Sequence, residues 1–255
     1  SIFLNKINFA ESKNLIKIKN INLNSKKKLK RIDQIDIDLV NNNDQISQLN
    51  IKRKKSNYSI NSKIFDGTKI LDRILFSKSD GNFFDVFEKL NSKVTINFNT
   101  IYITNEDYLT NFKVDMIVNN NQIKDLILSS QFSTKEDLKL SIKTNSNNER
   151  ITDLFAGNAK PLVKKYDFIK GFEGGYLKFD SIEKNKVSNS NLKIFDFKLK
   201  EVPALTKLLT LASLQGIADL LTGEGIRFNE FEMIFNNKDG LMTIDEIYSL
   251  GPSIS

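Results

Sequence analysis

Phe112-Lys113-Val114-Asp115-Met116-Ile117-Val118-Asn119-Asn120-Asn121-Gln122-Ile123 is the stretch whose pattern decides the fold class. Phe112, Val114, Met116 and Val118 recur at every second position, the spacing at which a strand returns a side chain to one face. The Asn triplet that follows suits a tight turn, because Asn tolerates the positive φ that hairpin turns require. Two other stretches share the plan. Ile35, Ile37 and Leu39 alternate with Asp36 and Asp38 ahead of Asn41-Asn42-Asn43, and Phe231, Met233 and Phe235 lead into Asn236-Asn237-Lys238-Asp239-Gly240. Repeated strand-turn-strand units point to a sheet that grows by addition of hairpins.

The same alternation continues elsewhere. Val94, Ile96 and Phe98 are separated by Thr95 and Asn97, and further strands are expected within 126–132, 138–142, 176–179, 192–199, 228–235 and 241–247. Strands of about 6–9 residues joined by short Asn-rich connections favour an antiparallel meander over parallel crossover units.

Helical spacing interrupts the sheet in three places. Residues 68–90 carry Ile70, Leu71, Ile74 and Leu75, then Phe83, Phe84, Val86, Phe87 and Leu90, with Asp80-Gly81 as the break. Residues 146–168 predict a helix pair: Ile151, Leu154 and Phe155 closed by Gly157, then Leu162, Val163, Tyr166 and Phe168 with Pro161 in the first turn. The third helix, 203–222, begins at Pro203 and is apolar on more than one side through Leu205, Leu208, Leu209, Leu211, Leu214 and Leu221. So apolar a helix is buried, faces a membrane or lies over an apolar groove.

Composition removes whole classes of chemistry. The 255 residues contain no His and no Cys, which leaves no imidazole general base, no Cys nucleophile and no ordinary zinc, haem or iron–sulfur site. No catalytic residue, cofactor or metal ligand is expected. The net charge of +7 is spread over 38 basic and 31 acidic residues in a Lys- and Asn-rich chain. It reads as composition and not as a signal for nucleic acid, for which interleaved aromatics are missing around the basic clusters 26–31 and 52–55. Those clusters are expected on a solvated loop or a lysine-protected edge strand. Asp36 and Asp38 fall on one solvated strand face, Gly171 and Gly174-Gly175 mark turns, and 236–240 is a hairpin turn and not a calcium loop. The chain starts at Ser1 and stops at Ser255 with no spanning segment, so it is expected to be a piece of a longer protein.

One resemblance is more specific than any of these motifs. Val202-Pro203-Ala204-Leu205, Leu208-Leu209, Leu211-Ala212-Ser213-Leu214, Gly216-Ile217, Asp219-Leu220-Leu221, Gly223 and Gly225-Ile226, followed by Asp239-Gly240-Leu241 and Gly251-Pro252-Ser253, resemble the AsmA-like C-terminal region of the AsmA, TamB and YhdP envelope proteins. Ile151-Thr152-Asp153-Leu154-Phe155 and Gly174-Gly175-Tyr176-Leu177 resemble the helix pair and Gly-Gly strand upstream of it. The resemblance covers about residues 150–255 and is architectural before them. It implies a repeating β-groove: a long, curved antiparallel sheet, mainly β with a few helices, whose concave apolar face holds acyl chains, with helix 203–222 at or over one end. It further implies two segments, 1–145 (groove hairpins) and 146–255 (AsmA-like region), a phospholipid partner, and a periplasmic place in a diderm bacterium with an inner-membrane anchor outside these residues. Nucleic acid is not expected as a partner. The groove candidates are Val94, Ile96, Phe98, Phe112, Val114, Met116, Leu177, Phe179 and Ile194, and the six leucines of 203–222 are the gate or membrane contact. The alternative is a scaffold module whose trough is filled by its own side chains.

Overall fold

A computed structural model describes residues 1–40, 46–68, 84–165, 170–200 and 225–252. Among these residues it holds fourteen strands and one short helix in two compact units, Ser1–Lys135 and Glu136–Ser255. The chain is mainly β, as the alternation predicts. The division falls ten residues earlier than the sequence places it, so the strand at 137–144 belongs to the second unit.

The first unit contains β1 (Ile2–Glu11), β2 (Asn14–Leu23), β3 (Leu29–Val40), β4 (Ile46–Lys54), β5 (Asn57–Asp66), β6 (Ser92–Tyr102), β7 (Tyr108–Asn119) and β8 (Gln122–Phe132). The second contains β9 (Asp137–Thr144), β10 (Arg150–Ala156), helix α1 (Lys160–Lys165), β11 (Phe172–Lys184), β12 (Val187–Leu199), β13 (Ile226–Lys238) and β14 (Leu241–Leu250). Within each unit the strands lie side by side in chain order as an open, curved sheet. They run 7 to 13 residues, longer than the sequence suggests. β1, β2 and β5 are additions to the strands expected, and β4 is the return strand of the unit that begins at Ile35.

Hairpin chemistry explains the antiparallel pairs. Asn120 and Asn121 have φ of 50° and 64° between β7 and β8, Asn185 and Lys186 have 52° and 65° between β11 and β12, and Asp239 and Gly240 have 53° and 85° between β13 and β14. Two successive positive φ values define the turn whose twist matches the flanking strands. The turn after β3, at 41–45, lies outside the described residues. One pair breaks the expected antiparallel meander: β6 runs parallel to β5, with Tyr58 beside Val94 and Ile60 beside Ile96. Residues 67–91 are long enough to carry the chain back to the starting end of β5, which a hairpin cannot do.

Each sheet has one apolar face, but its sequence signature shifts part-way along the strands. Leu109 and Phe112 are both buried in β7, as are Ile194 and Phe197 in β12, a spacing of three where a regular strand gives two. Asn111 (φ 52°) and Asp196 (φ 53°) lie between them, and Asn20 (φ 53°) in β2 and Gly174-Gly175 (φ 73° and 75°) in β11 are of the same kind. A single left-handed residue turns the strand over and keeps the next apolar side chain inside.

Several sequence expectations are corrected. The first helix of the pair at 146–168 is strand β10: Leu154 and Ala156 point to the apolar face opposite Leu140 and Leu138, while Ile151 and Phe155 point to the other face opposite Lys143 and Lys139. Apolar residues on both faces of a strand imitate helical spacing. The second helix survives as α1, with Pro161, Leu162 and Val163 buried. Of the helix expected over 68–90, residues 84–90 form a turn and a bridge in which Phe87 pairs with Leu29, and 69–83 lie outside the described residues. Gly174-Gly175 belongs to a strand and not a turn. The basic cluster 52–55 begins in β4 and Arg31 sits in β3, strands flanked on both sides and therefore not edges; Lys26, Lys27 and Lys28 do occupy the connection between β2 and β3. The helix expected at 203–222 lies outside the described residues.

Asp180 on β11 opposes Asp153 on β10. Partial desolvation of this otherwise exposed side chain pushes the Asp180 carboxyl above its ordinary range, and the facing Asp153 charge adds to the push. A raised carboxyl value favours the folded state as pH falls through it and disfavours it above. Asp180→Asn is therefore expected to stabilise the chain at pH 7 by about 0.2–1 kcal/mol, the scale of a like-charge cross-strand pair. Urea midpoints should show the gain vanishing below about pH 4, where the native carboxyl is neutral as well.

Candidate functional site

The cross-strand register turns the alternation into continuous apolar rows. In the first unit Ile7 opposes Ile18, Ile18 opposes Ile35, Ile35 opposes Ile51, Ile51 opposes Ile60, Ile60 lies beside Ile96, Ile96 opposes Val114, and Val114 opposes Leu128. Eight aliphatic side chains thus form one line across eight strands. Directly opposed residues share a face, so the line is a physical stripe and not merely a sequence pattern. Phe9, Ile16, Ile37 and Leu49 run beside it on one side, and Tyr58, Val94, Met116 and Leu126 on the other. The second unit repeats the device: Leu140, Leu154, Phe179, Leu192, Met233 and Ile247 form one row, and Leu138, Ala156, Leu177, Ile194 and Phe231 the next.

These rows are not equally closed along their length. In the first unit Leu128 is 2% exposed and Val114 1%, Ile96, Ile60, Ile51 and Ile35 are half-buried, and Ile7 is 40% exposed. In the second, Leu140 is buried, Leu154 to Met233 are half-buried, and Ile247 is 58% exposed. Each apolar face is therefore packed shut at one side of its sheet and opens to water toward β1 or β14.

The sequence-predicted residues fall on these faces. Val94 opposes Met116, Ile96 opposes Val114 and Phe98 opposes Phe112, so six of them form one patch on β6 and β7. Phe98 also stacks on Phe112 at 5.8 Å and meets Phe65 at 5.0 Å. Leu177 opposes Ile194, with Phe179 in the neighbouring row of the second unit. All except Ile96 and Phe179 are buried, so the residues chosen from sequence mark the closed side of each face. The open side, Ile7, Ile18, Ile35, Ile51 and Ile60 with Leu192, Met233 and Ile247, lies outside the groove candidates. Ile16 and Ile18 around Lys17 carried the same signal as Val94 to Phe98, but the turnover at Asn20 interrupts it. Leu205, Leu208, Leu209, Leu211, Leu214 and Leu221 lie outside the described residues.

In the first unit the opposite face of β2 to β6 is polar, and two hollows among its described residues measure about 500 Å³ each. One is rich in amides and carboxylates: Asp36 accepts hydrogen bonds from Gln34 (2.6 Å) and from Asn50, and Asp38 accepts one from Gln48 (3.0 Å). Asp36 and Asp38 are thus engaged by amides and not by each other. The other hollow is basic. Asp33 accepts from Arg31 Nε at 2.6 Å, from Arg31 Nη2 at 2.7 Å and from Asn20 at 3.2 Å, with Arg53 Nη1 at 3.7 Å. The bond from Arg31 holds the Asp33 carboxyl below its ordinary range.

Among the described residues no three His, Cys, Asp or Glu side chains converge as a metal site, and no helix is long and apolar enough to cross a membrane. No family model, curated protein or solved structure matches the chain.

Proposed function

We propose that the chain is a non-enzymatic lipid-shielding segment, whose apolar rows cover phospholipid acyl chains during passage between the inner and outer membranes of a bacterial envelope. The observation that carries this reading is the unbroken aliphatic row from Ile7 to Leu128, with its half-exposed middle at Ile18, Ile35, Ile51 and Ile60. A soluble sheet seldom leaves so long an apolar stripe open to water without an occupant. Each methylene moved from water onto the stripe stabilises by about 0.8 kcal/mol, and the stripe has no directional contacts to hinder sliding. The periplasmic place and the anchor outside these residues rest on the resemblance of 150–255. The phospholipid is the partner that resemblance and stripe together favour.

Native mass spectrometry of the purified chain tests the reading. Bound phospholipid is expected, and an Ile18→Asp, Ile35→Asp double variant that stays folded is expected to carry none. A lipid-free wild type that also fails to take up added phospholipid would exclude it. A second reading is favoured by the closed side, where Val114, Leu126, Leu128 and Leu140 are at most 2% exposed: a scaffold module whose face is filled by its own side chains. That reading predicts the lipid-free result.

A further inference from the structure

The basic hollow unites two clusters that are more than twenty residues apart in sequence. Lys19, Gln34 and Lys52 form one cross-strand row, displaced by one residue from Ile18, Ile35 and Ile51 and hence on the opposite face from the apolar stripe. Arg31, Asp33, Arg53 and Lys55 complete its lining. Five cationic side chains thus surround one carboxylate. Asp33 is taken up by Arg31 and Asn20 and approached by Arg53, while Lys52 and Lys55 have no carboxylate partner among the described residues. Asp33 orients the guanidinium of Arg31 through Nε and Nη2, and among the described residues Arg31 Nη1 and Arg53 Nε and Nη2 have no hydrogen-bond partner. Planar guanidinium donors beside ammonium groups match the oxygens of a phosphate. The lining comes from three adjacent strands, β2, β3 and β4, and from the turn after β4, so these charges converge on one open hollow of about 500 Å³.

We propose that this hollow binds a phosphate-bearing anion, with Arg31 and Arg53 as the directional donors, Asp33 as the residue that positions them, and Lys19, Lys52 and Lys55 as the surrounding charge. The site is independent of the acyl-chain reading, because it lies on the other face. The anion is either a soluble phosphate ester or the headgroup of an anionic lipid, and the test separates the two. Pyrophosphate is titrated by calorimetry into the 255-residue chain at low salt, and retention on phosphatidylglycerol vesicles is compared with phosphatidylcholine vesicles. Saturable pyrophosphate binding is expected, weakened about tenfold by Arg31→Gln or Arg53→Gln, the loss of one charge-assisted contact. Lys52→Gln, which breaks no described ion pair and leaves the fold intact, should weaken it about threefold. Lys143→Gln, an exposed residue of β9, should not change it. Retention on phosphatidylglycerol alone that is lost in Lys52→Gln assigns the site to a headgroup. Absence of both kinds of binding, or equal weakening by Lys143→Gln, overturns the proposal.

Discussion

Val114→Asp is expected to leave the first unit unfolded at room temperature, while Ile7→Asp, in the same row, is expected to leave it folded. Val114 is 1% exposed between Ile96 and Leu128, so an aspartate there is surrounded by aliphatic carbon with no donor in the row to receive it. Burying an unpaired polar group costs about 2–7 kcal/mol, and a carboxylate more unless it takes up a proton. Loss of the valine's own burial adds about 1.5–3 kcal/mol. Together these rival the total stability of an ordinary domain, about 5–15 kcal/mol. Ile7 is 40% exposed on β1, and its replacement keeps the new charge in water at a cost of about 1 kcal/mol. Circular dichroism and urea midpoints distinguish the two; equal stability of both variants would show that the row is not closed around Val114. Between these extremes stand Ile18 and Ile35, exposed enough to accept a charge without unfolding and apolar enough to hold an acyl chain. Lipid retention and fold stability should therefore separate along a single row.

The strand positions of that row were legible from alternation alone wherever a strand stays regular, as in Phe112 to Val118, and Asn and Gly made two tight turns legible, although the turns themselves are only 120–121 and 239–240, with Asn119 and Asn236 to Lys238 inside strands. What the sequence concealed has three physical causes. A left-handed Asn within a strand looks like an Asn that ends one, so the turnovers at Asn20 and Asn111 broke the pattern at the points where the structure keeps it whole. A strand with apolar residues on both faces imitates a helix, which is why Ile151, Leu154 and Phe155 suggested one. Register between distant strands has no local signature at all. It aligns Ile51 with both Ile35 and Ile60, and it brings Arg31 to Lys52 and Arg53 around Asp33. The open side of the apolar face and the basic hollow both depend on register, and both were therefore visible only in three dimensions.

Gly175→Ala is expected to destabilise the second unit by about 3 kcal/mol or more, whereas Gly240→Ala should cost only about 1 kcal/mol. Both glycines have positive φ, 75° and 85°, so both substitutions carry the left-handed penalty of about 1–2 kcal/mol. They differ in what the new methyl would meet. At Gly240, in the turn between β13 and β14, nothing lies within 4 Å of the added carbon. At Gly175 it would stand 2.8 Å from the Phe195 carbonyl oxygen, 2.9 Å from Phe197 Cβ and 3.5 Å from Phe172 Cζ. Phe195 oxygen belongs to the neighbouring strand and cannot swing aside as a side-chain tip does. Phe172 and Phe197 stack at 5.1 Å, and Phe197 stacks on Phe228 at 4.8 Å, so a displacement of Phe197 disturbs a buried aromatic row across three strands. Overpacking of this kind costs a further 1–3 kcal/mol, roughly the difference expected between the two variants. Gly174 and Gly175 also turn β11 over, with Phe172 inward before them and Leu177 inward after. A side chain at 175 therefore works against the strand twist that places Leu177 beside Ile194, and the apolar face of the second unit should lose its register along with its stability. Urea denaturation of the two alanine variants measures the difference. Equal midpoints would mean that the close approach at Gly175 relaxes without cost and that the paired glycines do not set the turnover.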